Sequence, residues 1–182
     1  ENAILTAIII VSMVLTPIMI VLFDLIRRRY PVAAEGRAGP QDLTGTALVI
    51  GFGRMGQIAS QFLFARGYEV SIIDTDVEMI DAAREHGFDV YYGDGTRLDI
   101  LHAAGVSHAR VVLVCVDKPD SGTRITQLIK AEFPGVPVVT RAVDRRHSVD
   151  LVKAGVDVQV RETFESAMLM GATALERLGA SQ

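Results

Sequence analysis

The residues of this sequence with the clearest chemical use form a glycine-rich turn. The turn follows the apolar segment Ala47–Ile50 and consists, in order, of Gly51, Phe52, Gly53, Arg54, Met55 and Gly56. In this G-x-G-x-x-G spacing Gly51 permits a tight turn, Gly53 lets the backbone approach a phosphate, and Gly56 allows the following helix to pack closely. The first N–H groups of that helix then face the phosphate, with the positive end of the helix dipole behind them. We therefore expect a nucleotide phosphate to bind at this turn.

A carboxylate follows at the distance that a nucleotide site requires. Asp74 stands 18 residues after Gly56, at the end of a second strand-like segment, Val70–Ile73. In strand–helix–strand units with this turn, an acidic residue so placed accepts hydrogen bonds from ribose hydroxyls. A second acid, Asp76, disfavours a 2′-phosphate, so we expect AMP, ATP or NAD(H) and not NADP. The alternatives left open are a turn that only packs against its helix, or one that binds another anion.

Strand and helix patterns alternate along the rest of the chain, and they must position this turn. Six strand-like segments are expected at Ala47–Ile50, Val70–Ile73, Asp89–Tyr92, Ala109–Val116, Val138–Arg141 and Val156–Val160. The first helical pattern places Ile58, Phe62 and Leu63 on one face. The last runs from Thr163, its expected N-cap, to Leu178. The alternation predicts an α/β fold, a Rossmann-like doubly wound sheet of six parallel strands covered by helices on both faces.

Ligands of such sheets bind beyond the carboxyl ends of the strands, at the point where the strand order reverses. This rule adds a set of loop residues to the candidate site: Asp74, Thr75, Asp76, Asp94, Gly95, Thr96, Val116 and Asp117. Asp94 either supports the adenine side of the site or only shapes its own loop in an Asx turn. Thr96 is a candidate cap for the next helix. Arg141, at the end of the fifth strand, either contacts an anion or forms an ion pair with Asp144 or Asp117.

The first thirty residues have the composition of a membrane-spanning helix. Ile4–Ile26 contains one charged residue, Asp24, and at about 1.5 Å per residue such a helix is long enough for a bilayer core of about 30 Å. The basic residues Arg27–Arg29 follow, and the positive-inside rule then places residues 31–182 in the cytoplasm beneath the inner (plasma) membrane. We expect the last span of a larger membrane domain in residues 1–30, a linker in 31–45, and a globular domain in 46–182.

Composition and motifs argue against several classes of function. The net charge is −4 and the isoelectric point about 5.5, which argues against a nucleic-acid partner. A single cysteine, Cys115, excludes an intrachain disulfide and a cysteine-based zinc cluster, and we expect it to be a buried apolar side chain. No residues have metal-ligand spacing. We expect no catalytic residues, because no Tyr-x-x-x-Lys pair, no G-K-[ST] motif and no substrate domain accompany the nucleotide turn.

Taken together, these motifs resemble the cytoplasmic regulatory domain of Kef-type potassium efflux antiporters, part of the wider RCK or KTN (TrkA-N) family. The matching segments, in chain order, are VIGFGRMGQ, IIDTD, YYGDGTRLDIL, VLVCVD, VTRAVD and RETFESA. The resemblance covers roughly Thr46 to Gly179, and the helix before it looks like the last span of the antiporter's membrane domain. The GFGR turn and GDGT loop are shared by RCK domains generally, whereas RETFESA is more particular to the Kef branch.

This resemblance implies regulation and not catalysis. Kef-type systems exchange potassium for protons, are held shut by glutathione, and are opened by glutathione adducts of electrophiles. The resemblance also implies a homodimer and an AMP or NAD(H) molecule that binds in the crevice without reacting. It further implies glutathione or its adducts bound close to the dimer interface, at Arg141, with Arg161 as a weaker candidate. The family often has a second Arg where this chain has Val143, although Arg145 and Arg146 follow. Soluble ancillary oxidoreductases activate some members of the family.

Two other functions share part of this pattern. One is the RCK domain of a potassium channel or of a Trk-type uptake system, which has the same glycine turn and GDGT loop. The other is a fragment of an NAD-dependent oxidoreductase, which has the same turn and the acid at Asp74. The antiporter interpretation is favoured by the Kef-like last helix and by the absence of a hydride-transfer site.

Overall fold

The computed structural model describes residues 11–22 and 39–179 of the 182-residue chain. The chain separates into two units, Glu1–Gly36 and Arg37–Gln182. In the first unit, residues 11–22 form a helix, α1, whose apolar side chains are exposed. None of the helices in the described ranges is long and apolar enough to cross a membrane.

The predicted membrane span, Ile4–Ile26, extends beyond α1 in both directions. Its residues 4–10 and 23–26 lie outside the described ranges, as do the basic residues Arg27–Arg29 and linker residues 31–38. The span and its basic flank therefore stay predictions.

In the second unit, strands and helices alternate. The strands are β1 (Ala47–Ile50), β2 (Val70–Asp74), β3 (Val90–Tyr92), β4 (Val111–Val114), β5 (Val138–Ala142) and β6 (Val158–Arg161). The helices are α2 (Arg54–Phe64), α3 (Val77–Glu85), α4 (Leu98–Ala103), α5 (Pro119–Glu132), α6 (Arg145–Lys153) and α7 (Glu162–Arg177). Within residues 39–179 the six strands form one parallel sheet in the order β3-β2-β1-β4-β5-β6. The predicted doubly wound sheet is confirmed, and its order reverses between β1 and β4.

The central strand β1 is buried on both faces, as a parallel sheet between helices requires. Successive side chains of a strand point to opposite faces. Leu48 packs on one face with Leu101 of α4 and Ile125 of α5. Val49 packs on the other face with Ile80 of α3. This burial holds the carboxyl end of β1, and the glycine turn after it, in a fixed position.

Helix α2 packs on the sheet through small residues, which corrects the expected apolar face. Ile58 and Phe62 are 58% and 73% exposed and Leu63 is half-buried, whereas Gly56 and Ser60 are buried. A Cβ atom built on Gly56 would lie 2.1 Å from the carbonyl oxygen of Gly51, so only glycine allows this approach. The close contact leaves no space for large side chains on the inner face, and the apolar pair therefore points outward.

The helix starts also differ from the expected caps. Thr163 lies inside α7, whose N-cap residue is Arg161, and Thr96 precedes Arg97, the N-cap residue of α4. Neither arginine makes a side-chain capping bond. Helix α5 begins at Pro119, where the fixed φ of proline and its missing N–H suit a first helical position, instead of at Ser121 or Thr123.

Residues 39–46 precede β1, and for most of them the amino-acid composition predicts a linker. The structure packs this segment on the domain: Pro40 is buried, and the Leu43 N–H donates to the Ala103 carbonyl at 3.1 Å. Further along, the Gly45 N–H donates to Ser71 Oγ at 3.2 Å. The globular unit thus begins before residue 46.

Candidate nucleotide-binding site

A cavity of about 440 Å³ lies beyond the carboxyl ends of β1 to β4, where the strand order reverses. Ten of the predicted site residues line it: Gly51, Gly53, Asp74, Thr75, Asp76, Asp94, Gly95, Thr96, Val116 and Asp117. They come from four different loops, and the parallel arrangement of the strands brings them to one edge. The topology therefore assembles most of the expected site in one place.

The glycine turn presents backbone to the cavity. A Cβ atom built on Gly53 would meet no other atom within 4 Å, so the space above this residue is open. Gly51 has a φ of +96°, and a side chain there would meet the Cys115–Val116 backbone at 2.9 Å. Helix α2 has no side-chain cap and no acidic residue in its first turn. Its first N–H groups and its positive dipole end are therefore available to an anion.

Four residues of the turn lie outside the cavity lining. Phe52 has a buried side chain that packs against Phe88 with ring centroids 5.3 Å apart, so only its backbone serves the site. Gly56 is a packing residue, and Met55 packs partly buried against the apolar core on the same face. Arg54 is exposed at the first position of α2, within the turn where a phosphate would bind.

Asp74 is held in place by two backbone donors. Its Oδ2 accepts a short hydrogen bond from the Phe52 N–H, and its Oδ1 accepts from the Asp76 N–H at 2.8 Å. A carboxylate offers about four lone-pair positions, and these bonds use two of them. The remaining positions can accept the two hydroxyls of a ribose. The same carboxylate thus shapes the turn and offers acceptors to a ligand.

The other two acids on this side of the cavity have local structural partners. Asp76 caps α3, because its Oδ1 accepts from the Glu78 and Met79 N–H groups at 3.0 and 3.2 Å. Asp94 forms the Asx turn considered above, since its Oδ1 accepts from both the Thr96 N–H at 2.9 Å and the Thr96 hydroxyl at 2.7 Å. Thr96 therefore bonds to Asp94, and it lies one residue before Arg97, the N-cap residue of α4.

Arg141 forms an ion pair with Asp117, one of the two partners considered from the sequence. Its second partner is Glu162 at the start of α7, with Arg141 Nε 2.9 Å from Glu162 Oε2. The side chain of Arg141 is only 13% exposed, and its Nε makes no hydrogen bond within the described residues because no acceptor lies in line with its N–H. Asp144, the other expected partner, instead caps α6 through the His147 N–H.

Arg161 lies on the neighbouring strand, where it is in register with Ala142. Its guanidinium carbon stacks 3.8 Å above the ring centre of Phe164, a cation–π contact. Neither Arg141 nor Arg161 lines the cavity.

The cavity also has walls that sequence reasoning missed. These residues are Ile50, Ile73, Met79, Cys115, Lys118, Ser121 and Ile125. Lys118 is the N-cap residue of α5 and Ser121 lies in its first turn, so the rule that ligands bind beyond strand ends contained the signal for them. Met79 is brought to the wall by Gln57, whose Nε2 lies 3.1 Å from its sulfur and 3.2 Å from the Phe52 carbonyl oxygen. No motif in the sequence indicates that bridge.

A known protein family and several known proteins are similar to this chain. The protein-family description of the TrkA-N domain matches residues 47–162. A glutathione-regulated potassium-efflux system protein of Haemophilus influenzae is 42% identical over 185 residues, which cover 98% of this chain and 30% of that protein. The KefC protein of Salmonella arizonae is 39% identical over 96% of this chain and 28% of its own length. The chain thus spans less than a third of these curated relatives.

Solved structures share the fold. The Kef CTD of Shewanella denitrificans in its AMP-bound form has a TM-score of 0.66 and 38% identity, covering 74% of this chain and 82% of that chain. The TrkA-N domain of the Escherichia coli inner membrane protein ybaL has a TM-score of 0.66 at 22% identity, covering 72% and 98%. The GsuK channel bound to NAD has a TM-score of 0.61 at 18% identity, covering 80% and 27%. The last two similarities concern the fold alone.

The position of Cys115 on the cavity wall leads to a test of the site's geometry. The residue is 6% exposed, and burial raises the pKa of its thiol to about 12, against the opposing charge of Arg141. An ordinary thiol has a pKa of about 8.5. At about pH 8, the thiolate fraction of Cys115 should therefore be far lower in the native protein than in the unfolded chain. We expect native Cys115 to react with a thiol-specific disulfide reagent at least about a hundredfold more slowly than in urea.

The rate in the native protein should keep rising with pH, without levelling off, to well above the pKa of a free thiol. The matched control is the same chain in urea, whose rate should level off near the pKa of a free thiol. Equal rates in the two states would show that the thiol is open to solvent and that the cavity wall is wrongly placed.

Proposed function

This chain belongs to the TrkA-N domain family, and we propose that its residues 46–182 are the cytoplasmic regulatory domain of a potassium efflux antiporter. In this proposal the crevice binds AMP or NAD(H) as a regulatory ligand that does not react. The membrane part is the transport domain of the same protein, which residues 1–30 join as a membrane span. Support comes from the curated relatives, which are named potassium-efflux system proteins.

The observation that carries the proposal is the crevice itself. An uncapped helix start, an open space above Gly53 and the anchored carboxylate of Asp74 share one cavity. A phosphate at the helix start and a ribose at the Asp74 carboxylate would match the two ends of a nucleoside monophosphate. The Kef CTD, 38% identical to this chain, was solved with AMP, which supports an adenine nucleotide. The acids Asp74 and Asp76 in the same lining argue against a 2′-phosphate.

A bound nucleotide can regulate transport without chemistry. It shifts a conformational equilibrium by the difference between its affinities for the two states. A ligand that bridges the loops after β1, β2 and β3 stabilises whichever arrangement brings these loops together. The domain would therefore sense nucleotide through loop geometry.

Replacing Asp74 by Asn tests the nucleotide site. Asn has one acceptor oxygen and one amide NH₂, so the NH₂ would face either the Phe52 or the Asp76 N–H and would offer the ribose fewer acceptors. We expect AMP affinity, measured by isothermal titration calorimetry, to fall about tenfold or more. Asp89→Asn, an exposed acid just before β3, is the matched control and should bind as the wild type does. Unchanged affinity in Asp74→Asn would remove this residue from the site.

Helix α7 supports a homodimer. None of its residues is buried in the single chain, and Phe164, Met168, Gly171, Leu175 and Leu178 recur along it at spacings of four and three. This repeat forms an apolar stripe, the pattern that a helix presents to a partner helix. A second copy of the chain supplies such a helix by symmetry.

A charge in the stripe should dissociate the dimer. Met168 is 60% exposed in the single chain, and Met168→Glu would bury a carboxylate between the two helices. Sedimentation analysis of the 182-residue chain should show a dimer for the wild type and a monomer for this variant. Phe62→Glu, an exposed apolar residue of α2, is the control and should leave the mass unchanged. A monomeric wild type, or a Met168→Glu dimer of wild-type affinity, would contradict the assignment.

Glutathione or its adducts are the proposed second ligand, at Arg141 with help from Arg161. The relatives are named glutathione-regulated, and Arg141 is a mostly buried cation held between two carboxylates, those of Asp117 and Glu162. An incoming carboxylate could replace the exposed carboxylate of Asp117 on this guanidinium. The ligand carboxylate would then replace Asp117 in the ion pair that this structure shows.

Arg141→Ala removes the proposed glutathione contact. We expect affinity for glutathione, measured by calorimetry, to fall about tenfold or more, because charge-assisted hydrogen bonds are lost. Arg110→Ala, an exposed arginine just before β4, should have no effect. If the wild type binds no glutathione, the second ligand is wrong while the nucleotide proposal stands.

A further inference from the structure

Residues 39–46, which we call the strap, cross the domain from the ligand edge of the sheet to the opposite edge. Pro40 lies beside Gly93, at the carboxyl end of β3, and is buried. Leu43 lies against the carboxyl end of α4, and Gly45 lies beside Ser71 near the start of β2. The strap thus touches the domain at three places before the chain enters β1.

The first contact places the strap against the cavity wall. A Cβ atom built on Gly93 would lie 3.6 Å from Pro40 Cδ and 2.9 Å from Ile100 Cγ2, so the proline ring covers the side of Gly93 where a side chain would stand. Gly93 lines the cavity, and its N–H donates to the Asp74 carbonyl at 2.9 Å. It also opens the loop that contains the Asx turn of Asp94. One residue of the strap therefore supports the loop opposite the glycine turn.

The second contact joins the main chain of Leu43 to the main chain at the end of α4. Besides the hydrogen bond from the Leu43 N–H to the Ala103 carbonyl, the Leu43 carbonyl lies over Gly105. A Cβ atom on Gly105 would lie 1.8 Å from that oxygen, and Gly105 has a φ of +78°. A side chain at this position would displace the strap, although it is remote from the cavity lining.

We propose that the strap is a positioning element of the nucleotide crevice, and that bound nucleotide and docked strap stabilise each other through the loop 93–96. The inference rests on the proposed function, since it needs a nucleotide in the crevice. Such coupling is reciprocal. Nucleotide binding stabilises the docked strap by the same free energy by which the docked strap stabilises bound nucleotide. The strap is also the covalent connection between the domain and the N-terminal unit. Nucleotide occupancy is thereby passed to the segment that leads toward the proposed membrane span.

Hydrogen exchange tests the effect of the ligand on the strap. In the full chain, AMP should slow the exchange of a peptide covering residues 41–46, which contains the bonded N–H groups of Leu43 and Gly45. A peptide from α6 reports any general stabilisation, and the slowing in the strap should exceed it. AMP binding without a specific slowing in the strap would contradict the inference.

Variants test the reverse direction, from strap to ligand. Gly105→Ala should displace the strap at Leu43 and weaken AMP binding by about fivefold or more, a typical allosteric coupling. Gly87→Ala is the matched control, because Gly87 also follows a helix with a φ of +81° but a Cβ atom there would meet nothing within 4 Å. It introduces the same backbone strain without touching the strap, and should retain wild-type affinity.

Pro40→Gly removes the direct support of Gly93, and Gln41→Gly is its control at an exposed neighbour. A loss of AMP affinity in Pro40→Gly and Gly105→Ala, but not in the controls, supports the coupling. Wild-type affinity in both strap variants, with AMP still bound, overturns this inference alone. If the wild-type chain binds no adenine nucleotide, the proposed function fails and the inference fails with it.

Discussion

The bond between the Asp74 carboxylate and the Phe52 N–H is the interaction on which the crevice depends. It joins the end of β2 to the glycine turn after β1, while the second oxygen of Asp74 holds the Asp76 N–H. A part-buried carboxylate is stable there because backbone donors replace the water it loses. The group that would bind the ribose therefore also sets the turn that would bind the phosphate. Ligand recognition and local structure share one side chain.

Close backbone approaches build the rest of the crevice. A Cβ atom on Gly56 would collide with the Gly51 carbonyl, and one on Gly95 would lie 2.7 Å from Ile50 Cγ2. Such positions favour glycine, so the glycine turn and the loop after β3 approach their neighbours through main chain. This is why the glycine spacing and one acid located most of the site from the sequence. A close approach of the main chain can be recognised in the sequence, because it requires glycine at that position.

Features that depend on tertiary contacts were harder to predict. The outward position of Ile58 and Phe62 follows from the closeness of α2 to the glycine turn, which periodicity does not report. The strap docks through one proline and main-chain bonds, and its Gly- and Pro-rich composition is typical of a linker. Glu162 reaches Arg141 only because β6 pairs with β5, and the sequence contains no signal for that contact.

The charges around the crevice indicate where in it an anion would bind. Asp76 caps a helix, Asp94 holds Thr96, and Asp117 is paired with Arg141, so each acid already has a donor that offsets its charge. The uncapped start of α2 and the exposed amine of Lys118 have no side-chain acid bound to them within the described residues. A phosphate of the proposed nucleotide would therefore find its attraction at these two positive groups, because the charges of the acids are already offset by their donors.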